Sequence, residues 1–255
     1  MDVADILQVL FRWIHIVAGI LWIGLLYWFN WVNVPLGAAL DGAAKKKVIP
    51  EMMPRSLYFF RFAALWTFVA GLLLLGLVFY HGGLMFEQGA EGWGLPAIVM
   101  LVVVFFIFPL YDALAKSPLG KNILAIGAVG FVLIAAIVYA MISWAGFSYR
   151  AYSIHIGVMF GMIMVMNVWM RIWPAQKKII PAVKEGTPPD AALVARAAQR
   201  SRHNTYLSVP LIWTMINSHT VVPGADSPLW LLGVILVGWG AVALVYGKSS
   251  KIKGM

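Results

Sequence analysis

The fold is decided by long apolar runs such as ILQVLFRWIHIVAGILWIGLLYWFNWVNV, which occupies residues 6–34. This run is longer than the roughly 20 residues that a helix needs to cross a bilayer. Hydrophobic residues make up 62% of the chain and charged residues only 11%, which is too few charges for an ordinary soluble domain. We therefore expect this chain to fold in a bilayer, as an all-α bundle of transmembrane helices.

Six further apolar runs follow the first, which predicts seven transmembrane helices in a single domain covering residues 1–255. These runs lie at about residues 57–81, 94–115, 122–144, 150–173, 204–222 and 228–247. The N-terminal residues lack the basic stretch and the cleavage pattern of a signal peptide. We therefore expect the first helix to be retained.

Basic residues set the predicted orientation, because Lys and Arg in short loops resist translocation. They concentrate in the first, third and fifth loops and in the C-terminal tail, for example at Lys45, Lys116 and Lys251. The opposite side receives mainly acidic residues, together with Arg12 and Arg150. This pattern predicts a multi-pass protein with its N-terminus outside the cytoplasm and its C-terminus inside.

The fifth loop is the only sizeable connection, and we expect a surface helix within about residues 175–203. From Ala191 to Arg202, Ala and Leu alternate with Arg and Gln at helical spacing, and Asp190 can cap this helix. The pattern is typical of a helix on the cytoplasmic membrane surface whose arginines face lipid phosphates.

Composition also argues against several kinds of chemistry. The net charge is +9, but the basic residues are divided among short loops, so we expect membrane lipid and no nucleic acid as a partner. Cysteine is absent, which excludes disulfides, iron–sulfur clusters and a covalently attached c-type haem. Any metal must be held by His, Met or a carboxylate.

Histidines within the membrane are the most informative residues, because polar groups there usually mark a site, a pathway or a satisfied packing contact. The predicted orientation places His15, His155 and His219 at one level in the outer half of the bundle. Neutral imidazoles from facing helices can clamp haem iron, so these three residues are candidate ligands of a non-covalent b-type haem. The alternative for each is a hydrogen bond to a neighbouring helix.

Carboxamides in or at the ends of the predicted spans also need hydrogen-bond partners there. They are Asn30, Asn167, Asn204 and Asn217. We expect them to bond between helices, and the alternative is that they line a substrate pocket.

Residue spacing restricts the possible iron ligands further. His203 and His219 are 16 residues apart, so they lie roughly 24 Å apart on nearly opposite faces and cannot share one iron. Arg12 and Arg150 lie outward of His15 and His155. They either pair with haem propionates or extend to lipid phosphates.

A weak internal echo connects the first and fifth predicted helices. Ile14-His15-Ile16 and Ile154-His155-Ile156 are each followed by small residues, an Asn and a closing Pro. Three matched residues do not establish a duplication, but they invite a structural comparison.

Four motifs carry a family resemblance. They are WIHIVAGILWIGLLYWFN at 13–30, NVWMRIWPAQ at 167–176, SRHNTYLSVP at 201–210 and Asn217-Ser218-His219. Together they resemble the membrane domain of the bacterial membrane-bound urate oxidases, or urate hydroxylases, and the likeness extends over nearly the whole chain.

This resemblance implies a haem-linked oxidoreductase of the bacterial inner membrane that oxidises urate to 5-hydroxyisourate in purine breakdown. It also implies that the family's histidines fall on His15, His155, His203 and His219, which adds His203 to the candidate haem-binding residues. Similar family members continue into a C-terminal cytochrome c domain, whereas this chain ends at Met255. We therefore expect a separate cytochrome c or a respiratory complex to accept the electrons.

Two other functions compete with the enzyme. One is a b-type haem subunit that transfers electrons or has a structural role in a larger membrane complex. The other is a transporter that recognises its substrate through membrane His and Asn residues and has no haem spectrum. No catalytic residue, haem number or axial pair follows from the sequence.

Overall fold

The computed structural model describes residues 2–217 and 227–252, and helices dominate this part of the chain. The α-helices are α1 Val3–Tyr27, α2 Val34–Ala39, α3 Gly42–Leu75, α4 Leu95–Phe105, α5 Phe108–Lys116, α6 Ile123–Ser143, α7 Tyr149–Asn167, α8 Trp173–Glu185, α9 Ala191–Asn217 and α10 Pro228–Ser249. Among the described residues no β-strand occurs, and Phe86 and Phe147 form an isolated antiparallel bridge. The predicted all-α fold class is confirmed.

Five continuous helical segments are long and apolar enough to cross a membrane within the described residues. They are Val3–Ala39, Gly42–His81, Ile123–Ser143, Tyr149–Glu185 and Pro228–Ser249. Helices α4 and α5 make a sixth span if they are taken together, with a bend of 45° between them. The predicted run 204–222 extends into residues that the structure does not describe, so the count of seven stays a prediction.

Two of these segments share the same local design, in which an α-helix passes through a π-helical turn into a second α-helix. The π-helical turns are Trp28–Asn33 and Val168–Ile172, and Pro35 and Pro174 follow them in the first turns of α2 and α8. A proline ring presses on the carbonyl four residues earlier and cannot donate to it. That carbonyl must move away, which widens the preceding turn to π-helical spacing.

The basic stretches differ from the predicted loops because they are helical. Lys45 to Lys47 and Arg55, expected in the first loop, lie in the first turns of α3, which begins at Gly42. The predicted surface helix corresponds to α8 and the first half of α9. Gly186 separates these two helices in the left-handed conformation, at φ 80°, which closes the C-terminus of α8.

Asp190 caps α9 as predicted, since its carboxylate accepts from the backbone N–H of Ala192 at 2.7 Å. Arg196 and Arg202 of this helix are exposed, and their expected contact with lipid phosphates stays a prediction. That expectation is wrong for Arg200, which is only 1% exposed. Arg200 lies three and four residues from buried Ala197 and Asn204, so helical periodicity turns its side chain inward.

The described chain divides into two compact units. The first contains residues 2–74, 164–208 and 239–252, and its core includes Leu26, Phe60 and Met164. The second contains residues 75–163, 209–217 and 227–238, and its core includes Met141 and Phe147.

Candidate functional site

His15 in α1 of the first unit is held by one hydrogen bond to α3. Its Nδ1 lies 2.7 Å from the carbonyl oxygen of Thr67. A carbonyl can only accept, so Nδ1 carries the proton and Nε2 keeps its lone pair. Within the described residues no group bonds to that Nε2, so the tautomer present suits a metal ligand.

Gly71 makes room for the His15 ring. A Cβ placed on Gly71 would lie 2.9 Å from Cε1 and 3.0 Å from Nδ1 of His15, which is closer than real Cβ contacts. The imidazole therefore rests on bare backbone one turn beyond Thr67, and this position favours the Nδ1 hydrogen bond. Gly71 was not singled out from the sequence, since nothing in the pattern of α3 indicates which glycine faces another helix.

The two arginines that were candidate propionate partners differ in exposure. Arg12 lies one turn before His15 in α1 and is exposed, whereas Arg150 lies near the start of α7 and is half-buried. Exposure leaves the Arg12 guanidinium available to an anionic group or to lipid phosphate.

His155 in α7 of the second unit occupies a closed aromatic environment. Its ring is 0% exposed and lies 5.4 Å from the Phe147 ring and 6.4 Å from the Phe79 ring. Nδ1 donates to the Ala151 carbonyl at 2.7 Å, and the Tyr80 hydroxyl donates to Nε2 at 3.1 Å. Both ring nitrogens of His155 are thus engaged, so iron could bind only if the Tyr80 hydroxyl moved away.

His203 and its neighbour Asn204 lie on the buried side of α9 in the first unit. Burial, followed by the charges of Arg200 and Arg202, lowers the pKa of His203 to about 4, so its imidazole is neutral at pH 7. Asn204 donates to the Met164 carbonyl at 3.0 Å and accepts from Asn167 at 2.8 Å. This pair of carboxamides fixes α9 against the end of α7, which matches the packing role expected for membrane carboxamides.

His219 was predicted as a third iron ligand and lies outside the described residues. Within residues 2–217 and 227–252, no group of three or more His, Asp or Glu side chains could hold a metal ion. A haem would not need a group of three side chains, because the porphyrin itself supplies four of the iron ligands.

A cavity of about 720 Å³ in the first unit is the structure's main addition to the candidate site residues. It is lined by the π-helical turn Trp28–Asn33, by α2, α3, α8 and α9, by the end of the π-helical turn Val168–Ile172 and by the end of α10. Such a volume is within the range of small-molecule sites. The sequence had identified Asn30 as a packing or pocket residue, but not Ser201 or Tyr246.

Asn30 organises the polar side of this cavity. Its Nδ2 donates to the Leu26 carbonyl at 2.9 Å and to the Ser201 hydroxyl at 2.8 Å, and its Oδ1 accepts from the Tyr246 hydroxyl at 3.0 Å. The Arg202 guanidinium lies 5.2 Å from the centre of the Tyr246 ring. Residues from the π-helical turn after α1, from α9 and from α10 thus form one polar group.

The long apolar helices define a protein compatible with a multi-pass membrane location. The sequence profile described as "Urate oxidase N-terminal" matches residues 1–252, and the chain belongs to this family. The resemblance predicted from the sequence motifs is therefore confirmed. No curated protein and no solved structure matches the chain.

Proposed function

We propose that this protein is a membrane-bound oxidoreductase that oxidises urate to 5-hydroxyisourate and passes the electrons to a haem b. The family match over residues 1–252 carries this proposal, since it covers nearly all of the chain. The reaction takes one oxygen atom from water and releases two electrons and two protons. A separate cytochrome c or a respiratory complex would then receive the electrons.

His15 is the residue that fits a haem ligand best. Nδ1 of His15 donates a hydrogen bond to the Thr67 carbonyl, and the imidazole ring packs against the backbone of Gly71. These two contacts fix the direction in which Nε2 points. A bound haem would supply an iron centre that accepts one electron at a time. Exposed Arg12, one turn away, would pair with a propionate.

His155 or His219 would hold the haem together with His15, and His203 and Arg150 would be further residues of its environment. Iron could bind His155 only after the Tyr80 hydroxyl had moved away from Nε2, since the two are hydrogen-bonded.

We further propose seven spans in the bacterial inner membrane, with the N-terminus outside and the C-terminus inside. The five apolar helical segments, the bent α4–α5 pair and the basic residues near Lys46, Lys121 and Lys248 support this topology. Reporter fusions test it: green fluorescent protein after Ile252 should fluoresce, and alkaline phosphatase after Gly89 should be active. The reverse pattern of reporter activity overturns the orientation.

A spectrum of the purified protein tests the enzyme proposal. We expect a Soret band that shifts on reduction by dithionite, and the same reduced spectrum after anaerobic addition of urate to the oxidised protein. A haem spectrum that does not respond to urate rejects the substrate and favours the electron-transfer subunit. Absence of any haem band rejects both redox functions.

A further inference from the structure

We propose that the 720 Å³ cavity of the first unit is the binding site of a planar heterocyclic anion, and that urate is this ligand. The identity of the ligand rests on the proposed function, whereas the chemical class follows from the cavity itself. None of the described residues predicted to bind haem, which are Arg12, His15, Arg150, His155 and His203, lines this cavity.

Charge indicates that the ligand is an anion. Arg202 is the charged residue among the described lining residues, which include no Asp or Glu. In the described part of the chain, no carboxylate forms an ion pair with Arg202. Its guanidinium instead lies over the Tyr246 ring, and this contact leaves the N–H groups in the guanidinium plane available for a bidentate anion.

Hydrogen-bonding groups indicate a heterocycle with both donors and acceptors. The Ser201 hydroxyl accepts from Asn30, so its own hydrogen is left to donate. The carboxamide of Gln176 also lines the cavity, and among the described residues nothing hydrogen-bonds to it. A carboxamide offers one donor and one acceptor side by side, which matches a ring edge of alternating N–H and C=O groups.

Aromatic side chains indicate that the ligand is flat. Phe29 and Phe60 both line the cavity, and their rings meet edge to face at 5.2 Å and 76°. Such rings offer an apolar wall for a planar molecule. Urate is planar, carries one negative charge near neutral pH and has a rim of alternating N–H and C=O groups, so it satisfies all three conditions.

The local backbone supports a binding role. Phe29 and Asn30 belong to the π-helical turn between α1 and α2, and Ile172, which also lines the cavity, ends the corresponding turn after α7. Such turns are frequent at functional sites because they change the direction in which side chains point. Here they bring Asn30 to Ser201 and Tyr246.

Radiolabelled urate binding to the purified protein in phosphatidylcholine nanodiscs tests this assignment. The protein is kept anaerobic and reduced with dithionite, so that bound urate cannot be oxidised. Arg202→Gln should raise the Kd for urate about tenfold or more, the size expected for losing a charge-assisted hydrogen bond. Arg196→Gln, an exposed arginine of the same helix outside the lining, should bind urate like the wild type.

A cavity-filling pair keeps the test decisive if Arg202→Gln does not fold. Ala198→Phe places a ring in the cavity and should weaken urate binding at least as strongly, whereas Ala195→Phe on the exposed side of α9 should not. Wild-type affinity in both Arg202→Gln and Ala198→Phe overturns the assignment, even if urate still reduces the haem. The proposed oxidation, in contrast, fails if urate binds with this dependence on the variants but reduces nothing.

A lipid is the competing occupant. If the wild type binds no urate, and phosphatidylglycerol co-purifies with the wild type but not with Arg202→Gln, the cavity holds an anionic headgroup and the assignment is overturned. Urate binding that persists in nanodiscs containing phosphatidylglycerol, and is lost in Ala198→Phe, supports it.

Discussion

The segments Val3–Ala39 and Tyr149–Glu185 have the same local design but different environments. Each contains 37 residues, begins with a helix that carries an Ile-His-Ile sequence and passes through a π-helical turn before a proline. Only 11% of the most apolar stretch is buried in the first segment, against 67% in the second. The two segments with similar sequences thus share their helix geometry but differ in how deeply they are buried.

This difference changes what each imidazole can do. The Nδ1 of His15 donates to Thr67 on another helix and leaves Nε2 without a partner in the described structure. The Nδ1 of His155 donates to Ala151 on its own helix, and its Nε2 is occupied by Tyr80. The same three-residue motif therefore carries a histidine with one open ring nitrogen in the first segment and a histidine with both ring nitrogens hydrogen-bonded in the second.

Removing each imidazole tests the difference between His15 and His155 most directly. His15→Ala should abolish haem binding, because it removes the imidazole whose Nε2 is available to iron. His155→Ala should retain most of the haem and lower the unfolding temperature, since it empties a fully buried site. The ratio of Soret absorbance to protein measures the first effect, and equal haem loss in both variants would show that the two histidines do not differ in this way.

The ring position of His15 can be disturbed without removing it. Gly71→Ala should reduce haem affinity about tenfold, because the new Cβ displaces the ring and weakens the Nδ1 hydrogen bond that orients it. Haem titration of the apoprotein gives this affinity. Gly24→Ala is the matched control on α1, since no described atom outside the local backbone lies within 4 Å of the added Cβ.

The denser packing around α7 predicts a larger cost of added volume there. Gly157→Ala should lower the free energy of unfolding by about 1–3 kcal/mol, because its Cβ would overlap the Thr214 hydroxyl. Gly161→Ala should be tolerated, since its Cβ would meet Leu211 at an ordinary 3.6 Å. Thermal unfolding in detergent compares the two, and equal midpoints contradict the tight contact at Gly157.

The smallest expected effect concerns the Tyr80 hydroxyl, which donates a hydrogen bond to Nε2 of His155. Tyr80→Phe leaves the buried Nε2 without a donor, and we expect it to cost about 1 kcal/mol of stability. Tyr58→Phe, at an exposed position, should leave the unfolding midpoint unchanged. If Tyr80→Phe instead increases haem content, the Tyr80 hydroxyl blocks an iron ligand in the wild type. His155 is then an iron ligand as well as His15.

The helical class and most helix positions could be predicted because they depend on local composition. The run predicted at 122–144 is Ile123–Ser143 in the structure, and the run predicted at 228–247 is Pro228–Ser249. The basic first loop was mistaken because helical Lys and Arg residues near a membrane surface carry the same charge signal as a loop. The buried position of Arg200 was missed because an isolated amphipathic pattern does not reveal what packs on its polar side.

The candidate site was only partly accessible to such reasoning. His15 was identified by its cost within a membrane, but its acceptor Thr67 is 52 residues away and its neighbour Gly71 looks like any glycine in an apolar helix. Asn30 was noticed for the same reason as His15. Ser201 and Tyr246 were not, since a hydroxyl near a helix end is common and gives no sign of a partner.

The sequence by itself determined that this chain is all-helical, that several of its helices suit a bilayer, and that it belongs to the urate oxidase N-terminal family. These properties depend on run length, composition and motifs, which are read along one chain. Only the tertiary structure decided which nitrogen of His15 carries the proton and which residues join Asn30 around a cavity. The reason is that helices apolar on all sides carry no signal for their rotation, so their neighbours are set by packing between distant residues.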